Sequence, residues 1–300
     1  PATIAMLIAL PALSGLAVSL RLYTRLAILR LTGPEDWLIA GALLLSIATS
    51  IEILVEARWG LGLHLWTVSP EMLLEQMKAL YASVLTYNLA INLVKMSFLL
   101  QYRRIFGSSS PTADRVCHWL FCFVMFWAVL QAVLLGLSCI PVAIIVPSMT
   151  GRCLDTLTVW YFSSTLNIIT DFVIFLIPLP CVHNLTMPTR QKVLVFSIFC
   201  LGFFTCIISI IRLLYLWVVT TTKDSTWDNV ELTLWSVAEL NCGILCASLQ
   251  TLRPLMSRLN KPGMAIRPIN NQLFLESATP LTRLTSGGTG SSCYSRYLFI

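Results

Sequence analysis

The chain has 300 residues, 57% of them apolar and only 11% charged, with a net charge of +6 and a mean hydropathy of +0.80. Soluble domains carry about 45–50% apolar and about 25% charged residues, so polar groups are too few here to cover a water-facing surface, and a soluble enzyme is excluded. The cations lie between long apolar runs, which is membrane topology and no nucleic-acid-binding patch.

A membrane span needs roughly 20 mainly apolar residues. In chain order the runs that qualify are Ala2–Leu20, Trp37–Ala57, Ala79–Gln101, Val116–Ser138, Leu157–Pro180, Lys192–Val219 and Glu231–Leu249. The predicted fold is an all-α membrane protein, a seven-transmembrane helix bundle over residues 1–255. Pro141 and Pro147 predict that the apolar stretch after span 4 is a loop. After Leu255 the composition turns to Pro, Gly, Ser and Thr, which predicts a disordered tail over 256–300.

Let the segments before spans 2, 4 and 6 and after span 7 share one side. That side then holds Arg21, Arg25, Arg30, Arg103, Arg104, Arg115, Arg190, Lys192, Arg253, Arg258, Lys261, Arg267, Arg283 and Arg296, against Arg58, Lys78, Arg152 and Lys223 on the other. The positive-inside rule places the N-terminus outside and the C-terminus in the cytoplasm, and the plasma membrane is the expected location. The sequon Asn184-Leu185-Thr186 then faces the cytoplasm and is expected to stay unmodified. Cys139 and Cys153 are the cysteines placed on the oxidising side, and they flank one loop. A disulfide there would close about 15 residues and contribute about 3 kcal/mol; the alternative is two thiols.

Two loops carry local signatures. Before span 2, Thr32-Gly33-Pro34-Glu35-Asp36 reads as a turn followed by acids at a helix N-terminus, with Arg21, Arg25 or Arg103 as expected partners. After span 2, Trp59-Gly60-Leu61-Gly62-Leu63-His64 lacks the preceding strand and third glycine of a dinucleotide fingerprint. Gly60 and Gly62 predict a sharp turn back to the membrane. A pH-sensing role for His64 is outweighed by a packed or simply exposed ring. No metal site is read from the sequence: Cys242 and Cys246, and His118 between Cys117 and Cys122, fit helix packing better.

Five ionisable groups stand out within the spans: Glu52, Lys95, Asp171, Arg212 and Glu239. A charge at mid-bilayer costs at least about 2.5–3.5 kcal/mol, so such groups pair or line water. Counting about 1.5 Å per residue from the outer edges puts Lys95 about 24 Å and Asp171 about 21 Å deep. Arg212, Glu239 and Glu52 lie about 11, 12 and 8 Å deep on the same count. Lys95 is therefore expected to pair with Asp171, and Arg212 with Glu239 or Glu52. Tyr81, Asn88, Asn92, Lys95 and Tyr102 share one face of span 3, and Ser164, Asn167 and Asp171 one face of span 5. Such polar stripes serve equally as glue between helices or as the lining of a ligand site.

The ordered set Arg21-x-Tyr23-x-Arg25, Asp36-Trp37, Gly60-x-Gly62-x-His64, Lys95-x-Ser97, Tyr102-x-Arg104-Ile105-Phe106, Cys139 and Cys153 carries a resemblance over about residues 15–255. It continues with Asn167-x-x-Thr170-Asp171, Pro178-Leu179-Pro180, Arg190-x-Lys192, Leu201-Gly202, Arg212 and Glu239. The chain resembles the fungal rhodopsin-domain family of integral membrane proteins, which includes satratoxin-cluster proteins and receptor-like proteins of infection signalling. It departs from the pattern at Glu35-Asp36, where two aspartates are expected, and at Gln250, where a proline often stands. The family name does not imply retinal: the Schiff-base lysine of rhodopsins sits on the last helix, and span 7 has none. No cofactor is expected.

The leading function is a receptor-like protein in the lipid bilayer that senses a small or lipophilic extracellular ligand and contacts a cytoplasmic transducer. The alternative is a membrane enzyme or accessory protein of a secondary-metabolite pathway, such as a cyclase using Asp171 or Glu239 as an acid. A transporter or scaffold stands third, without the inverted repeat or broken helices of transporters.

Overall fold

The computed structural model describes residues 2–29, 32–106, 111–138, 154–177, 189–222 and 224–259. They form α1 (Ala2–Tyr23), a π-helical extension (Thr24–Leu29), α2 (Pro34–Arg58), a 3-10 turn (Leu65–Thr67), α3 (Pro70–Phe106), α4 (Pro111–Gly136), α5 (Thr156–Leu176), α6 (Thr189–Thr221) and α7 (Ser225–Leu259). Seven of these helices are long and apolar enough to cross a membrane, and the described residues contain no strand. Cys139, Cys153, the Asn184 sequon, the Pro178-Leu179-Pro180 motif and the tail beyond residue 259 lie outside the described residues. The cysteines that are described carry no disulfide.

The helices start and stop where local chemistry dictates. Pro34 occupies the first turn of α2, and the Asp36 carboxylate accepts from Gly33 N–H at 3.2 Å, satisfying a donor the helix leaves open. Asp155 caps α5 by accepting from Thr158 N–H at 3.1 Å and Thr158 Oγ1 at 2.7 Å, and these bonds hold its carboxyl below the ordinary aspartate value. Helix α3 starts at Pro70, ahead of the predicted Ala79, and α7 at Ser225, ahead of Glu231. A hydropathy window stops at polar residues, whereas backbone hydrogen bonding continues through them. In the added turns of α3 an ion pair joins Lys78 to Glu75 at 2.7 Å.

Residues Pro1–Leu252 form one compact unit. Within its spanning stretches, α3 is 56% buried while α1 and α4 are each 22% buried, which makes α3 the inner helix. One core cluster joins Val18, Ile39, Tyr87, Val94, Leu240 and Ile244 from α1, α2, α3 and α7. A second joins Met96, Leu99, Val124 and Ile174 from α3, α4 and α5. The outer faces carry exposed Leu16, Trp119, Phe126, Val129 and Leu214, a surface suited to lipid and ruinous in water.

Candidate functional site

The deepest polar cluster is built from four helices. On α3, Lys95 is 4% exposed, and its Nζ lies 3.0 Å from Asp171 Oδ1. The same ammonium donates to Asn167 Oδ1 at 2.7 Å, Asn167 O at 2.9 Å and Thr170 Oγ1 at 2.6 Å, so α5 surrounds it with oxygen. On the other side Arg212 Nε of α6 lies 2.8 Å from Glu239 Oε2 of α7, and the guanidinium sits 5.0 Å over the Tyr87 ring. Asp171 and Glu239 are thus each matched by a cation, and the four charges sum to zero.

Depth counting separates these two pairs; the structure merges them. Asn167 Nδ2 donates to Glu239 Oε1 at 2.8 Å and to Asp171 Oδ2 at 3.3 Å, and Ser209 Oγ reaches the same two oxygens at 2.5 and 3.1 Å. The count misleads because α7 starts at Ser225, beyond the hydropathic edge, which sets Glu239 deeper, and because long Lys and Arg side chains shift their charge along the helix axis. Tyr87, which donates to Glu239 Oε2 at 2.6 Å, was missed because its apolar ring resembles core.

Further polar groups pair across α2, α3, α4 and α5. Asn88 and Asn92 of α3 engage Gln131 of α4: Gln131 Nε2 donates to Asn88 Oδ1 at 2.7 Å and Asn92 Nδ2 to Gln131 Oε1 at 3.0 Å. Gln131 also reaches Ser163 of α5. Gln131 is the only amide or charged side chain between Trp119 and Leu137, which is its signal in the sequence. Glu52 does not meet Arg212; its Oε2 accepts from Thr86 Oγ1 at 2.6 Å.

One end of the bundle is closed by a separate ionic cluster. Arg21, with no exposed surface, contacts Asp36 at 2.8 Å and donates to Ala247 O at 2.8 Å. In the amide orientation its neighbours dictate, Gln101 Oε1 accepts from Arg21 and its Nε2 donates to Gln250 Oε1 at 3.0 Å. Glu35 pairs with Arg25 at 2.9 Å and Arg104 at 2.7 Å. Arg103 takes no part in this cluster and pairs with Asp114 at 3.0 Å instead.

At the opposite end, Gly60 (φ +118°) and Gly62 (φ +85°) take left-handed conformations that side chains disfavour. They turn the chain so that Gly62 N donates to Thr226 O at 3.1 Å. His64 Nδ1 lies 2.6 Å from Asp224 Oδ2, and the ring is stacked between Trp66 and Trp227 at 4.5 and 4.7 Å. The hydrogen bonds from His64 and from Leu65 N hold the Asp224 carboxyl below its ordinary value.

Residues 20–258 match the family model of the fungal rhodopsin domain. The chain belongs to that family. The fungal rhodopsin domain here is 32% identical over 247 residues to a SAT4 family membrane protein of Emericella nidulans, a match covering 78% of this chain and 62% of that one. It is 28% identical to the polyenoic acids biosynthesis gene cluster protein Ba17b of Metarhizium anisopliae, over 87% of this chain and 76% of the relative. It is 24% identical to the receptor GIN3 of Arthrobotrys oligospora, over 81% of this chain and 59% of that receptor. No solved structure matches the chain significantly. The fungal rhodopsin domain is thus a multi-pass integral membrane protein whose charged cluster lies inside the bundle.

Proposed function

We propose that this protein is a receptor-like membrane protein that senses a small or lipophilic ligand from outside the cell and passes the signal to a cytoplasmic transducer. The observation that carries this reading is the single network through which Lys95, Asp171, Asn167, Arg212 and Glu239 tie α3, α5, α6 and α7. Apolar side chains of similar volume hold helices together as well as or better than a buried ion pair does, while breaking such a pair costs about 3–5 kcal/mol. A ligand that repartners one member therefore has a large lever on how the four helices sit, which is what a two-state switch requires. With the N-terminus outside, in the plasma membrane, the loop bearing Gly60, Gly62 and His64 faces the ligand, and the Arg21–Asp36 end with Arg103 and Arg104 faces the transducer. The relative named as a receptor supports this direction. The function needs no retinal-type cofactor: α7 carries no lysine, and Lys95 on α3 is committed to α5.

A role in a secondary-metabolite pathway is the second reading, favoured by the relative named for a polyenoic acids cluster. A cyclase acid is not what the cluster offers. Glu239 Oε1 accepts from Asn167 and Ser209 and its Oε2 faces Tyr87 and Arg212, so both oxygens already meet donors. The test is thermal stability of the purified protein in lipid against a library of lipids, pheromone-like peptides and isoprenoid precursors, with product analysis of the same samples. The receptor reading expects a compound that stabilises the wild type but not Asp171→Asn or Glu239→Gln, with no product. Turnover abolished by either substitution overturns it.

A further inference from the structure

Two acids in the C-terminal half of α2 lack the charge matching found in both ionic clusters. Glu35, Asp36, Asp171 and Glu239 each have a cation within 2.7 to 3.0 Å. Glu52 and Glu56, one turn apart on α2, form no ion pair among the described residues. Glu56 has no exposed surface. The nearby basic groups are turned elsewhere: Arg58 is exposed, and Lys78 is held by Glu75 at 2.7 Å.

The orphaned atoms around Glu56 are all acceptors. Its Oε1 accepts from Ser83 Oγ at 2.6 Å, but its Oε2 is buried without a partner, and so is Oε1 of Gln76, a residue 1% exposed. Gln76 and Ser83 lie two turns apart on the same face of α3. Gln76 reaches beneath Gly60, its Oε1 3.5 Å from where a Cβ would stand, and Leu61 N ties that loop to Glu56 O at 3.1 Å. Glu56 and Gln76 thus both belong to the α2–α3 seam next to the glycine loop, Glu56 through Ser83 and Gln76 through Gly60. An unsatisfied buried carboxylate oxygen is more costly than a neutral one, and while Glu56 is ionised neither it nor the amide oxygen of Gln76 can donate to the other.

We infer that Glu56, Gln76 and Ser83 form a binding site for a small monovalent metal cation, with sodium as the ion it takes. The ligand set is oxygen only, as hard cations require. One fully buried carboxylate neutralises one charge, whereas calcium sites take six to eight oxygens from several ligands. Glu52, held by Thr86 one turn away, adds negative potential without closing on the site. The burial of both oxygens favours an ion over an organic ammonium.

The experiment is the thermal unfolding midpoint of the full chain in lipid nanodiscs, in sodium chloride against N-methylglucamine chloride at equal ionic strength. Sodium at ten times its dissociation constant is expected to raise the midpoint by about 3–5 °C, saturably and more than potassium does. Glu56→Gln is expected to abolish the rise. Should that variant fail to fold, Gln76→Leu and Ser83→Ala are each expected to raise the half-saturating sodium concentration roughly tenfold. Equal midpoints in the two salts, the same rise in Glu56→Gln, stabilisation by calcium alone, or stabilisation by acid without any sodium effect would each overturn the site.

Discussion

The bundle holds two desolvated ionic clusters built on different plans. At one end, Arg21 and Arg25 meet Glu35 and Asp36 across only 10 to 15 residues of chain, where a helix ends and the next begins. In the middle, Lys95, Asp171, Arg212 and Glu239 meet across four helices, with Asn167 bonded to Lys95 and Glu239 each 72 residues away. The end cluster reinforces itself: its acids sit at a helix N-terminus, where the backbone already favours negative charge. The central cluster has no such local support, and each member depends on three other helices staying in place. The first arrangement fits an anchor and the second fits a switch.

Replacing Arg21 by Met is expected to do the most damage. It leaves Asp36 without its closest cation and removes the side-chain donor to Ala247 O, costing about 3–5 kcal/mol, read as loss of folded protein and a lower midpoint in lipid. Lys95→Met should cost about 3 kcal/mol by leaving Asp171 unmatched, and pairing it with Asp171→Leu should restore most of that loss. A restored double variant that still responds to ligand would erase the distinction between switch and anchor. Gly62→Ala, at φ +85°, is expected to cost about 1–2 kcal/mol, measured against Gly136→Ala, where the added methyl meets nothing within 4 Å.

The smallest effect concerns the His64–Asp224 clasp. Asp224 has a folded value below its ordinary one, so the stability it brings is fully present above the ordinary aspartate value of about 3.9. That contribution is lost as pH falls through the depressed folded value. The midpoint gap between wild type and Asp224→Asn should therefore hold at neutral pH and close in strong acid; a gap that persists there would show that packing of the Trp66 and Trp227 rings, not the carboxylate, closes the loop.

Much of this was legible in the sequence. Apolar run length fixed seven helices, because a chain in hydrocarbon must satisfy its own backbone. Helical spacing put Asn88, Asn92 and Lys95 on one face, and the glycines of the loop after α2 announced a turn. Several partners were not legible. Tyr87 hid its hydroxyl on an apolar ring, and Glu56, in the last turn of α2, was not singled out among the charges of the spans. What the sequence by itself determined is which faces are polar, since hydropathy and helical period are local properties of the chain. What the tertiary structure decided is that two expected ion pairs are one network, that Glu35 takes Arg104 and not Arg103, and that Glu56 and Gln76 share a seam. Those outcomes depend on the rotation and axial offset of one helix against another, which side-chain packing sets and no stretch of sequence encodes alone.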